Sequence, residues 1–267
     1  MNKDLETALG AARAGAEKVR YYRDNVRITL DSKGLHDLVT NADIESEKVI
    51  LEHIKKEFPD DTILAEESSA SQKMTDGRIW IIDPIDGTTN FAHNFPVYCV
   101  SVGLWDNRKP KAAVVIEVNR NEEFTAAAGE GARLNGEPIQ VSGCDDSHTA
   151  LLATGFPYND LSLLDDYLSL FRELMQHVQG IRRPGAASYD LCCVAAGRFD
   201  GFFEYSLKAW DVAAAALIIQ EAGGVVTDWN GEQNWLFGQR IITGNKLIHQ
   251  YLLNKISEHV KKENRIK

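Results

Sequence analysis

The chain has no apolar run approaching the roughly 18 residues that suggest a membrane-spanning helix, and its start, Met1-Asn2-Lys3-Asp4, leads straight into polar and alanine-rich sequence. A cytoplasmic protein without a membrane anchor is the expectation. Cysteine is sparse: Cys99, Cys144, Cys192 and Cys193 show no CxxC spacing, and two of them are adjacent within an apolar helical pattern. Reduced core thiols fit that pattern better than a disulfide framework or a zinc site. Positive charge is in deficit, with 29 Lys and Arg against 39 Asp and Glu and a formal net charge of −10. Nucleic-acid binding relies on cations that neutralise phosphates, so this balance argues against such a partner. The sequence also lacks internal repeats, low-complexity tracts and Pro/Gly/Ser linkers, and it pairs no Cys or Ser with a His for covalent catalysis.

What is present is enough apolar sequence, 44% of 267 residues, for one large domain or two packed subdomains. Leu5, Ala8, Leu9, Ala12, Ala16 and Val19 recur at helical spacing, so residues 2 to about 24 read as an amphipathic helix. A second helix is expected over 41–58, opened by Thr40-Asn41-Ala42-Asp43 as cap and stopped by Phe58-Pro59. Between 62 and 127 short β-type runs alternate with polar turns and suggest an antiparallel meander: Ile63-Leu64, Ile79 to Ile82, Val97 to Leu104, Ala112 to Val118 and Glu123 to Ala126. From about 150 onward helices near 161–178, 187–196, 212–222 and 247–262 alternate with strands near 200–204, 225–228 and 241–243, an α/β pattern. A boundary near 145 divides a first subdomain, 1–145, from a second, 146–267.

The chemistry concentrates in Trp80-Ile81-Ile82-Asp83-Pro84-Ile85-Asp86-Gly87-Thr88-Thr89-Asn90. A buried apolar strand ends in two carboxylates flanking a proline that cannot donate to the ladder. Directly afterwards, Gly87 and Thr88 offer a flexible backbone and a hydroxyl suited to an anion. Acids beside an anion-binding turn conflict unless a cation lies between them, and Mg²⁺, which takes oxygen ligands and bridges carboxylates to phosphate, resolves the conflict. A second apolar strand, Ile63-Leu64-Ala65, ends in Glu66-Glu67, whose mutual repulsion is relieved where one of them meets a cation. Asp211, in Trp210-Asp211-Val212-Ala213, stands at the start of an alanine-rich helix. Alone it reads as a simple cap, as does Asp43.

Taken in order, Asp37-Leu38-Val39-Thr40-Asn41-Ala42-Asp43, Glu66-Glu67-Ser68, Trp80 through Phe91, Trp210-Asp211-Val212-Ala213 and Glu221-Ala222-Gly223-Gly224 resemble the inositol monophosphatases over nearly the whole chain. The resemblance implies a layered αβαβα sandwich, with an antiparallel sheet in the N-terminal half and a mixed sheet in the C-terminal half. It also implies catalysis with two or three Mg²⁺ per site, inhibition by Li⁺, and a homodimer. Carried over by motif, Glu66, Asp83, Asp86, Asp211 and the Ile85 carbonyl resemble metal ligands, and Asp43 and Thr88, with Glu66, the group that activates water. Gly87, Thr88, Gly185, Ala186, Ala187, Glu204 and Asp211 resemble the substrate contacts. Ala186 stands where relatives carry a hydroxyl. Arg182, Arg183 and Lys33 resemble basic residues near the pocket, the dimer contact or the active-site flap. The implied activity is hydrolysis of a small phosphate monoester, foremost inositol 1-phosphate, with histidinol phosphate, fructose 1,6-bisphosphate and adenosine 3′,5′-bisphosphate as alternatives. A regulatory binding scaffold is the rival of a different class.

Overall fold

The computed structural model describes residues 2–34, 37–69, 74, 76–158 and 160–265; the side chains of residues 32–37, including Lys33 and Asp37, lie outside the described residues. The first half runs α1 (Lys3–Asn25), β1 (Leu30–Gly34), β2 (Asp37–Thr40), α2 (Asn41–Glu57), β3 (Thr62–Ala65), β4 (Arg78–Asp86), α3 (Thr88–Ala92), β5 (Cys99–Asp106), β6 (Lys109–Glu117), β7 (Glu122–Ala127), β8 (Ala132–Leu134) and β9 (Glu137–Pro138). The second runs β10 (Leu151–Thr154), α4 (Leu164–His177), β11 (Gly180–Arg182), α5 (Ala187–Ala195), β12 (Gly201–Tyr205), α6 (Ala209–Glu221), β13 (Val225–Thr227), β14 (Arg240–Gly244) and α7 (Lys246–His259).

These elements stack in five layers. A seven-stranded sheet, ordered β3-β4-β5-β6-β7-β8-β9, has α1 and α2 on one face and α5 and α6 on the other. A five-stranded sheet, ordered β11-β10-β12-β14-β13, lies beyond α5, and α4 and α7 close the far side. The period-2 pattern of the strands explains the stacking. Trp80 and Ile82 of β4 enter the core with α1 and α2, while Ile79 and Ile81 enter the core with α5 and α6. The expected αβαβα sandwich is therefore the observed fold.

The large sheet is antiparallel except at one edge, where β3 pairs parallel with β4. A tight turn cannot make that pairing. Because β3 and β4 run in the same direction, both apolar strands deliver their acids to the same end. The small sheet is mixed, with β10 parallel to β11 and β12 and the β12-β14-β13 run antiparallel.

Two helix starts bear directly on the site. Thr40 caps α2, and Asp43 at the third helical position returns a bond to the Thr40 backbone, the reciprocal box read from the sequence. The α6 helix begins at Ala209, three residues earlier than its alanine run indicated, so Asp211 sits at the third helical position instead of preceding the helix. Along its length α6 lies against β5 at Gly103, where a methyl group would approach the Ala214 nitrogen to 3.1 Å. A side chain at Gly103 would require α6 to give by a few tenths of an ångström.

Candidate metal and phosphate site

The strand β4 is buried from Ile79 to Asp86. It ends in its two acids, as the sequence indicated, but the proline does not take the chain out of the ladder: pairing with β5 continues through Asp83 opposite Ser101, skips across Pro84 and Ile85, and resumes at Asp86 opposite Cys99. Pro84 costs one rung of the ladder but not the strand, because the irregularity absorbs its missing donor. Within it, Asp83 Oδ1 accepts a 3.0 Å hydrogen bond from the Ile85 nitrogen. Gly87 then takes a left-handed conformation, φ 92°, and starts the short helix α3; most side chains would be strained there.

Three acids from two elements, β4 and α6, meet beside this turn. One carboxylate oxygen each from Asp83, Asp86 and Asp211 falls within 4.8 Å of the others. Asp83 and Asp86 are buried, and among the described residues no Lys, Arg or His forms an ion pair with any of the three. Burial, reinforced by neighbouring carboxylates, pushes Asp83 well above the usual carboxylate range and Asp211 to about 7, and burial raises Asp86 to about 6 against the hydrogen bonds it accepts. Glu66, at the end of β3, is raised well above its ordinary value by burial and by Asp211, and its carboxyl hydrogen-bonds that of Asp83. Such a bond between two acids requires a proton. A divalent cation bound by the same oxygens would replace that proton and relieve the repulsion, and the donor set, all oxygen, suits Mg²⁺.

Each acid is held in place by backbone donors. Asp86 accepts from the first turn of α5, at 3.2 Å from the Ala187 nitrogen and 2.5 Å from that of Ser188, and from Cys99 Sγ at 3.6 Å. Asp211 accepts from the Lys208 nitrogen at 2.6 Å, while Ser188 Oγ donates to the Asp211 carbonyl at 2.8 Å. Asp86 thus ties the first half of the chain to the second through charge-assisted bonds.

Asp43 and Thr88 form a separate pair. Thr88 Oγ lies 3.1 Å from Asp43 Oδ1 and 2.9 Å from the Ile85 carbonyl, and the other Asp43 oxygen accepts from the nitrogen and hydroxyl of Thr40. Burial raises Asp43 to about 6. Asp43 lies behind Thr88 and does not line the cleft, whereas Glu66, Asp83, Ile85, Asp86, Gly87, Thr88, Gly185, Ala186, Ala187, Glu204 and Asp211 all line one cleft of about 660 Å³. Every side chain and backbone position singled out in the sequence as ligand or contact is therefore brought to this cleft or its wall.

The wall opposite the acids comes from the second half. Asn90 Nδ2 holds the turn before α5 through the carbonyls of Pro184, at 2.9 Å, and Gly185, at 3.3 Å. Glu204 projects from β12 and is raised to about 8, chiefly by burial and then by Asp211. Arg182 and Arg183 are both exposed, but only Arg183 lines the cleft, with its guanidinium 5.7 Å from the Phe156 ring and 5.4 Å from that of Tyr158. His93 lies exposed at the rim. Sequence reasoning passed over Asn90, Ser188, Phe156, Tyr158, Asp190 and Lys208. Only Asn90 carried a signal, its place inside the Trp80-to-Phe91 motif.

A family model described as the inositol monophosphatase family matches residues 1–261. The chain belongs to that family. A curated relative named Nus factor SuhB, from Pseudomonas aeruginosa, is 42% identical over 267 residues, covering 97% of this chain and 98% of its own. Among solved structures, the extragenic suppressor protein suhB of Bartonella henselae superposes with a TM-score of 0.92 at 35% identity, covering 97% of this chain and all of that one. The inositol monophosphatase of Anabaena (Nostoc) superposes with a TM-score of 0.86 at 37% identity, covering 97% of each chain. Family and neighbours support a phosphatase. No helix among the described residues is long and apolar enough to cross a membrane.

Proposed function

We propose that the protein hydrolyses a small phosphate monoester, foremost inositol 1-phosphate, with Mg²⁺ held by Glu66, Asp83, Asp86, Asp211 and the Ile85 carbonyl, two or three ions to a site. The observation that carries this reading is the convergence of buried acids, without a countercharge of their own, on one cleft. Bound there, the metal lowers the pKa of coordinated water and neutralises charge on the phosphoryl group. The chain's own residues supply the rest. The Thr88 hydroxyl, donating to Asp43, has its lone pairs left to orient the attacking water and relay its proton to Asp43, which near pH 7 is ionised and able to accept it. Gly87 and Thr88 receive the phosphate, and Glu204, with the Gly185-Ala186-Ala187 turn, faces the alcohol that departs. No protein nucleophile takes part.

An ester panel assayed with and without Mg²⁺, and with Li⁺, tests the reading: inositol 1-phosphate should lead histidinol phosphate, fructose 1,6-bisphosphate and adenosine 3′,5′-bisphosphate in kcat/KM, and Li⁺ should inhibit. Turnover retained by Asp86→Asn at ordinary Mg²⁺, or phosphate trapped on the protein, would overturn it. The name Nus factor, carried by relatives about two-fifths identical, favours a second role as a binding protein, in a cytoplasmic homodimer. Pull-down of macromolecular partners by the Asp86→Asn variant separates that role from catalysis.

A further inference from the structure

The cleft holds one acid that the proposed reaction does not use. Asp190 lies in α5, one turn after the Gly185-Ala186-Ala187 segment; it lines the cleft and is only 2% exposed. The backbone of Gly185 donates to its carboxyl group, but Oδ1 has no hydrogen-bond partner among the described residues. Leaving a buried carboxyl oxygen unpaired is costly. The residue is not needed to start its helix, since Ala186 caps α5 and Asp86 takes the free amides of its first turn.

Its surroundings define what could pair with it. Glu204 and Arg183, like Asp86, act electrostatically on Asp190, and both line the same cleft. Arg183 forms no ion pair among the described residues, and its guanidinium lies over the rings of Phe156 and Tyr158. Gly155, where a side chain would run into the Glu204 carboxyl, and Ala186, which carries no hydroxyl, add no side-chain donor to the cleft. Two carboxyl groups and one guanidinium therefore line a cleft in which Asp190 Oδ1 has no partner among the described residues. A ligand bearing several hydroxyls can supply that partner, because each hydroxyl donates to a carboxyl oxygen and accepts from the guanidinium.

We propose that Asp190 is a specificity-determining residue, which with Glu204 and Arg183 forms a subsite reading the hydroxyls of a polyol leaving group. The subsite rests on the phosphatase reading above and deepens it. It places discrimination on α5 as well as on β12, so an ester whose alcohol has no further hydroxyl forfeits contacts that no other residue replaces. A site built to bond substrate hydroxyls discriminates strongly against analogues lacking them.

Steady-state kinetics with myo-inositol 1-phosphate and para-nitrophenyl phosphate, at saturating Mg²⁺, test this on the wild type, Asp190→Ala and Asp190→Asn. The readout is the ratio of kcat/KM for the polyol ester to that for the aryl ester. In Asp190→Ala the ratio should fall about tenfold or more, chiefly through KM of the polyol ester, and Asp190→Asn, which keeps shape and one acceptor, should recover part of it. A helix-positioning role alone would depress both esters together. A ratio within about twofold of wild type in whichever variant folds overturns the proposal while leaving the phosphatase reading intact. If the wild type hydrolyses neither ester with Mg²⁺, the phosphatase reading fails and the subsite fails with it.

Discussion

Glu173, Glu258 and His259, where α4 meets α7, bring their ligand-type atoms as close together as Asp83, Asp86 and Asp211 do, within 4.8 Å. The resemblance ends there. On the helices Lys255 supplies the countercharge, with its ammonium 2.9 Å from Glu173 and 2.9 Å from Glu258, and His259 Nδ1 pairs with Ser169 Oγ at 2.9 Å. Glu173 accordingly lies below its ordinary range because of that lysine. In the cleft all three acids are driven upward by burial, and Asp83 and Asp211 further by neighbouring carboxylates. Proximity alone does not mark a metal site; buried like charge without an internal partner does.

The sharpest way to break this comparison is to remove one carboxylate charge from each group. Asp211→Asn keeps an oxygen able to cap α6 but removes a ligand charge, so Mg²⁺-dependent kcat should fall on the order of 10³-fold, with the far-ultraviolet spectrum unchanged. Asp43→Asn should cost about 10²–10³-fold in kcat, the range of a lost general base, with Mg²⁺ affinity preserved in a metal titration. If both variants lose metal affinity equally, the division between ligand set and water-positioning pair is wrong.

Stability against pH separates the groups further. Without metal, the folded chain keeps protons on Asp43, Asp86, Asp211 and Glu204 up to pH of about 6 to 8, whereas the unfolded chain releases them near 4. The folded state then binds more protons, so stability falls as pH rises between about 4 and 8, by about 1.4 kcal/mol per pH unit for each retained proton. Thermal melts in chelator should show a lower Tm at pH 8 than at pH 5, and Mg²⁺ at about 100 times its Kd should restore about 2.7 kcal/mol at pH 8. A flat profile in chelator contradicts the assigned burial. The smallest effect belongs to the helices: Glu173→Gln should leave Tm nearly unchanged and the Mg²⁺ dependence of activity untouched.

Patterns of a few residues made much of this architecture legible. The apolar stripe from Leu5 to Val19 is the buried face of α1, and the alternation in Ile79 to Ile82 sorts those side chains between two cores. Short edge strands were not foreseen. β8, β9 and β11 comprise three residues or fewer and owe their pairing to neighbours supplied by the rest of the fold. The ligand acids could be named because each ends or opens an element with strong local signals. Asp190 could not, because its sequence context, Ser188-Tyr189-Asp190-Leu191, is that of an ordinary helix, and its importance arises from what surrounds it in three dimensions. Likewise, the bonds from Ala187 and Ser188 to Asp86 join residues about a hundred positions apart.

The seating of α6 on Gly103 reaches further than packing. The helix that carries Asp211 to the cleft is gauged against a strand of the other half, whose opposite end places Cys99 against Asp86. Small displacements of that strand would therefore shift two of the acids relative to each other, and the spacing between them sets which cation fits. On the proposed metal-binding reading, substitutions at Gly103 or Cys99 would disturb the acid cluster from inside the sheet, since neither residue lines the cleft.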